Sequence, residues 1–306
     1  MKVAILGATS HIAKGLTYQF TLSGKHDIFL FARSPQQVKS FLSSIHCADK
    51  VPAIGIEEFP DRSYDVIINC VGIGQPAKLK EAAGSIFRLT EGFDDLVLDY
   101  LVSNPGTLYI NFSSGAVYGR DFSSPAEADT ISPIDVNHIG LNDFYRIAKI
   151  NSEAKHRAFP ELHIIDLRVY AYFSRFIDLD SSFFITDVIS CLRKNRVFET
   201  GPEDMVRDYI GPDDLFALIE RCMNRSRMND VFDVYSLKPA RKFEILDHFR
   251  DNHGLQYTLK SNFHVSVATG AKNVYYSNNR KAVEIGYTPR FTSLETIIKE
   301  SKYLLP

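Results

Sequence analysis

Tryptophan is absent from the chain, and cysteine occurs only four times in 306 residues. Cys47, Cys70, Cys191 and Cys222 lie far apart and no CxxC pair occurs. That spacing argues against a zinc site, and a disulfide framework is not expected in a chain of this size. The cysteines read as buried free thiols of a reducing cytoplasm, and no metal is expected. An excess of charge of one sign is also missing. Thirty-five Lys and Arg against 37 Asp and Glu leave a formal net charge of −2, so nothing points to a polyanion such as nucleic acid as partner. Long apolar runs are lacking too. No segment approaches the ~18 residues that span a bilayer. The opening "MKVAILGATS" has one Lys and then an apolar run shorter than a signal peptide needs. The expectation is a soluble, cytoplasmic protein that does not engage membranes. No internal repeat, low-complexity tract or obvious linker is present.

What is present is an ordinary globular composition, 45% hydrophobic and 24% charged, in a chain long enough for a large core or two lobes. Short apolar runs predict strands at 2–6, 27–33, 64–72, 107–114 and 162–170, separated by segments of helical periodicity such as 93–103. Continuous apolar strands alternating with helices predict a parallel sheet covered on both faces. Beyond about residue 170 the alternation is less regular. "SSFFITDVISCLRKN" and "PDDLFALIERCMNR" read as helices, "DVFDVYS" as a strand, and "TSLETIIKESKYLL" as a helix opened by a capping residue. The predicted division is a dinucleotide-binding unit over 1–170 and a smaller mixed α/β substrate lobe over 171–306, with some segments returning to the first unit.

The stretch "KVAILGATSHIAKG" puts Gly7 directly after a buried strand and before a helix. A dinucleotide fold holds its pyrophosphate there, over the helix N-terminus. Glycine lets a phosphate approach the backbone. Ser10 and Ala13 stand where a GxxGxxG loop has its other glycines. Ala13 still permits close helix–strand packing, whereas Ser10 is a departure whose hydroxyl either reaches phosphate or is simply tolerated. Gly7, Thr9, Ser10, His11 and Ile12 are assigned to the cofactor loop, with His11 read as a solvent-facing residue rather than a catalytic group. Cys70, Val71 and Gly72, at the end of the third predicted strand, are assigned to the same site. The second strand ends in Arg33 and Ser34, with no acidic residue to bind a ribose 2′-hydroxyl. The donor fork of arginine suits a 2′-phosphate, which favours NADP over NAD.

Tyr145 and Lys149 are four apart in "YRIAK" and so share a helix face. A lysine ammonium near a phenol favours the phenolate. Ser114 ends the fourth predicted strand, at the sheet edge where ligands bind. A hydroxyl there can address the same substrate oxygen as the tyrosine.

This order of glycine loop, strand-end serine and Tyr–Lys helix resembles the extended short-chain dehydrogenases/reductases, the branch of nucleotide-sugar epimerases, dehydratases and reductases. "NFSSGAVYG" is similar to that branch's SSxxVYG segment, and "YRIAKINSE" to its YxxxK helix. "MVRDYIGPDDL", "VFDVYS" and "NNRKAVEIGYTPRFTSLETIIKE" resemble its later segments. The resemblance covers nearly the whole chain and implies a Rossmann-type doubly wound sheet. It implies Ser114, Tyr145 and Lys149 as catalytic residues, with Tyr145 and Lys149 also touching the cofactor. It implies Tyr118 and Arg207 as substrate contacts. "LRVYAYFSR" lacks the branch's asparagine and Gly-Pro, and Gly115-Ala116 replaces the Asp-Glu pair of the 4,6-dehydratases. The resemblance therefore implies an NADP(H)-dependent reductase of a nucleotide-sugar keto group. The alternatives are an epimerase with tightly held NAD(P) and, less favoured, a non-enzymatic NADP-binding regulator. Many members of the branch pair through helices beside the Tyr–Lys helix, so a homodimer is an open expectation.

Overall fold

The computed structural model describes residues 1–73, 76–119, 122–261 and 273–305. In its first half, β1 (Lys2–Leu6), α1 (His11–Ser23), β2 (Asp27–Ala32), α2 (Pro35–Ser44), β3 (Ala53–Gly55) and β4 (Val66–Asn69) are followed by α3 (Pro76–Ala82), α4 (Ser85–Ser103), β5 (Leu108–Ser114), α5 (Leu141–Arg157) and β6 (Ile164–Val169). Then come β7 (Ala171–Tyr172), α6 (Phe184–Arg193), β8 (Phe198–Thr200), β9 (Val206–Arg207), β10 (Tyr209–Ile210), α7 (Pro212–Met223) and β11 (Asn229–Asp233). The last elements are β12 (Ala240–Arg241), α8 (Lys242–His253), β13 (Tyr257–Leu259), β14 (Val274–Tyr275) and α9 (Ser293–Ser301).

Seven strands form one parallel sheet in the order β11-β6-β5-β4-β1-β2-β3. Both faces are covered. Along β1, Val3 and Ile5 join the core under α1, α2 and α7, while Ala4 and Leu6 join the core under α4. This period of two on a strand buried on both sides is why the run reads as continuously apolar. The strand order reverses between β1 and β4, which opens a crevice at their C-terminal ends.

The strand expected at 230–236 is the seventh strand of this sheet, paired with β6. α7 packs on α1, and Leu215, Leu218 and Ile219 belong to the first unit's core. A separate cluster of buried side chains surrounds Phe173, Ile189, Phe198, Leu246 and Phe249. Among the described residues, three small sheets lie outside the main one, and one of them joins β12, β9 and β14. Among the described residues, no helix is long and apolar enough to cross a membrane. All four thiols are free.

Candidate active site

Gly7 leaves β1 at φ +71°, and a Cβ there would stand 2.9 Å from both Val71 Cγ2 and the Val71 amide nitrogen. Only glycine fits this turn without moving the end of β4. The chain then enters α1, whose first turn carries no acidic side chain. Its positive end is therefore not already neutralised, as a pyrophosphate site requires. Ser10 resolves the departure noted above: its Oγ caps α1 by accepting from the Ala13 amide at 3.3 Å. Thr9 is exposed, and Ile12 packs partly against the core, leaving its backbone for the loop.

His11 is not the solvent-facing residue expected. Its Nε2 lies 2.8 Å from Ser174 Oγ, and its ring meets Tyr172 edge-on at 4.8 Å. Burial, aided by Lys14 and opposed by the Ser174 contact, pushes its pKa down to about 3, so it is neutral. The sequence missed this because Ser174 lies 163 residues away. After β4, Cys70 is buried and bonded through its amide to the Leu6 carbonyl, Val71 donates its amide to Asn69 Oδ1, and Gly72 is exposed. At the end of β2, Arg33 is exposed and makes no ion pair among the described residues; Ser34 is the N-cap of α2.

Ser114 ends β5 with its side chain buried, accepting from the Ala116 amide at 3.2 Å. Its Oγ also lies 3.3 Å from the Tyr275 hydroxyl. Tyr145 and Lys149 lie one turn apart on one face of α5. Tyr145 is partly exposed and its hydroxyl has no partner among the described residues. Lys149 is buried and donates from Nζ to the Phe112 carbonyl of β5 at 2.7 Å.

One turn further along that face, Glu153 accepts from Ser113 Oγ of β5 and from Arg168 Nε of β6, the latter at 2.9 Å. These buried contacts pin the Tyr–Lys helix to the two strands beneath it. A charge-assisted contact of this kind is worth roughly 1.5–3 kcal/mol.

Tyr118 departs from its expected role. Its hydroxyl donates to Asp233 Oδ2 at 2.9 Å and accepts from Arg168 Nη1 at 2.8 Å. Burial and the neighbouring Asp233 carboxylate push its pKa up to about 12, against the pull of Arg168. The phenol is spent inside the protein, because Asp233 arrives from β11 to take it. Tyr170 then stacks on Tyr118 and covers Gly115, where a Cβ would meet the Tyr170 ring at 2.4 Å. No side chain fits at 115 while Tyr170 stands there.

Arg207 is partly buried on β9 and its Nε has no hydrogen-bond partner among the described residues. The neighbouring carboxylates are already used. Asp208 accepts from the Ser236 amide and Ser293 Oγ, and Asp214 from the Arg290 and Phe291 amides. An internal ion pair to either is therefore not what holds Arg207.

A hydroxyl at a sheet end, a phenol–ammonium pair on the facing helix and a glycine-turned helix N-terminus suit proton and hydride transfer on a dinucleotide. Comparison with known proteins bears on this. A search of the curated proteins returned no match. The structure is similar to UDP-glucuronic acid 4-epimerase from Bacillus cereus in complex with UDP-glucuronic acid and NAD (14% identity, 99% of each chain, TM-score 0.79). It is similar to UDP-glucose-4-epimerase from Stenotrophomonas maltophila with bound NAD (14% identity, 99% of this chain and 98% of that one, TM-score 0.81). It is also similar to dTDP-glucose 4,6-dehydratase from Bacillus anthracis in complex with NAD (14% identity, 99% and 96%, TM-score 0.76). At these identities the likeness speaks for the fold. The sequence itself matches the model of the NAD dependent epimerase/dehydratase family over residues 3–237. With most of its length inside that match and its sheet built in the same way, the chain belongs to the NAD dependent epimerase/dehydratase family and is an enzyme of the extended short-chain dehydrogenase/reductase type.

Proposed function

We propose that the protein reduces a keto group of a nucleotide-activated sugar and uses NADP(H) in preference to NAD(H). The observation that carries the chemistry is Tyr145, a phenol without a partner among the described residues, on the same helix face as a buried lysine. Tyr145 would give its proton to the substrate oxygen. Lys149, with one donor on the Phe112 carbonyl, keeps two more for the cofactor ribose and the phenol. Ser114 would hydrogen-bond the same oxygen and stabilise the charge that develops there. A bound nicotinamide would supply the hydride. Gly7, Thr9 and the N-terminus of α1 fit its pyrophosphate, and Cys70, Val71 and Gly72 border the same crevice. Arg207, with a buried nitrogen that has no partner among the described residues, would hold the substrate diphosphate.

Arg33 supports NADP: it is exposed at the end of β2 with no ion pair among the described residues. A lost charge-assisted contact to phosphate costs roughly 1.5–3 kcal/mol. Arg33→Ala should therefore weaken NADP binding about tenfold or more and leave NAD nearly unchanged. Equal titration curves for the two cofactors in the unmutated protein would remove the preference.

The second reading is epimerisation with retained cofactor. The Bacillus cereus and Stenotrophomonas neighbours, both 4-epimerases solved with NAD, favour it. A dehydratase is disfavoured, since the Tyr170 ring covers Gly115 where that chemistry would need a carboxyl. Incubation of the protein with cofactor and with UDP-, dTDP-, GDP- and CDP-sugars separates the readings. Net change in cofactor absorbance supports the reductase, and an isomerised sugar with unchanged cofactor supports the epimerase. No reaction with any of them overturns both.

A further inference from the structure

We propose that Tyr275 is a positioning residue of this site, a phenol that fixes the Ser114 hydroxyl so that the serine proton faces the substrate oxygen. The proposal rests on the hydride-transfer reading above and adds a residue to it. A serine hydroxyl has one proton and two acceptor positions. Ser114 Oγ accepts from the Ala116 amide at 3.2 Å, and the Tyr275 hydroxyl lies 3.3 Å away. Either hydroxyl can donate in this contact; with the amide on one acceptor position, donation from the phenol to the other is the direction proposed, and it leaves the serine proton for a ligand. Ser114 then acts as a donor only, the polarity a developing alkoxide requires.

The phenol is held in place. Tyr275 is 7% exposed. Its ring meets Phe122 edge-on at 4.8 Å and Tyr170 at 5.0 Å. Edge-to-face contacts of this kind fix ring orientation. Burial pushes the Tyr275 pKa up to about 12, against the Ser114 hydrogen bond and the nearby Arg207, so the phenol keeps its proton.

The backbone adds a second link. Tyr275 lies on β14, which pairs in parallel with β9, and its register partner is Arg207. The residue proposed to hold the diphosphate and the residue that orients Ser114 thus sit side by side on adjacent strands. Phenylalanine would keep the aromatic packing and lose the hydroxyl with its contacts, those to Ser114 and the Ala116 amide among them.

The test is a double-mutant cycle of Tyr275→Phe and Ser114→Ala, read by steady-state and single-turnover cofactor absorbance with UDP-glucose, UDP-glucuronic acid and dTDP-glucose as probes. Tyr275→Phe should lower kcat about tenfold, the loss of one hydrogen bond. KM should stay within about threefold and dinucleotide binding should be kept. In the Ser114→Ala background the same change should cost nothing further. Tyr275→Leu, which loses the ring as well, should be at least as slow as Phe. If Tyr275→Phe turns over like the unmutated protein while Leu fails, Tyr275 is packing alone and the proposal falls. Losses that multiply in the double variant overturn it too. If the unmutated protein turns over none of the three sugars, the activity reading fails first and takes this proposal with it.

Discussion

His156 carries the most exacting stability prediction. It is completely buried near the end of α5, the helix that also bears Tyr145 and Lys149. Its Nδ1 lies 2.9 Å from Asp166 Oδ1 of β6, and its Nε2 lies 2.7 Å from Asp94 Oδ1 of α4. Asn111 and Arg157 also donate to Asp166, and Tyr109 donates to Asp94. Burial alone would lower the histidine pKa. The hydrogen bonds and charges of Asp166 and Asp94 outweigh it and hold the pKa at about 9, so the ring is an imidazolium between two carboxylates. The sign follows from linkage. A folded-state value above the unfolded 6.5 stabilises the protein fully below that pH, and the contribution disappears as pH rises through about 9. At 1.36 kcal/mol per pH unit the rise amounts to about 3 kcal/mol. His156→Gln removes the cation and leaves two buried carboxylates short of a partner, a change that costs about 3–5 kcal/mol. Urea unfolding of both proteins from pH 6.5 to above 9 is the assay. The unmutated protein should lose stability across that window faster than the variant, so the two curves converge. Curves that stay parallel would show that His156 does not carry a proton in the folded state.

Three further outcomes are expected. Tyr145→Phe should lower turnover by about a hundredfold or more, the range of a lost general acid, with dinucleotide binding unchanged by titration; near-normal turnover would remove Tyr145 from the chemistry. Gly115→Ala should lower the urea stability by about 1–3 kcal/mol, because its Cβ would press on the Tyr170 ring at 2.4 Å; an unchanged midpoint would mean that the ring yields freely. Arg207→Ala should weaken UDP or dTDP binding about tenfold in a calorimetric titration, the loss of one charge-assisted contact; equal affinity would make Arg207 structural.

The sheet was legible in the sequence because strands buried on both faces leave uninterrupted apolar runs, and β1, β2, β4, β5 and β6 all lie in the stretches so marked. β3, with three residues, and two-residue strands such as β9 and β14 are too short to leave a pattern. In the site, the residues the sequence offered were those whose roles are set locally. The Gly7 turn and the spacing of Tyr145 from Lys149 are of that kind. What escaped was set by distant partners. Tyr118 stands in a motif that points to substrate, yet Asp233, 115 residues on, takes its hydroxyl. Tyr275 reaches Ser114 across 161 residues, from a ladder that no local pattern announces.

The same distinction explains why α5 needs so much buried charge. Lys149 is buried against β5, and on the proposed reading Tyr145 beside it must leave room for a ligand. Glu153 meets Arg168 and Ser113, and His156 meets Asp94 and Asp166, so α5 is tied to β5, β6 and α4 by ionised contacts. Such contacts are directional, and breaking one inside the protein leaves a charge without a partner. Proton transfer demands a phenol placed within hydrogen-bond reach of its substrate oxygen. On the proposed reading, the buried ion clusters are the means by which α5 keeps Tyr145 and Lys149 in register with Ser114.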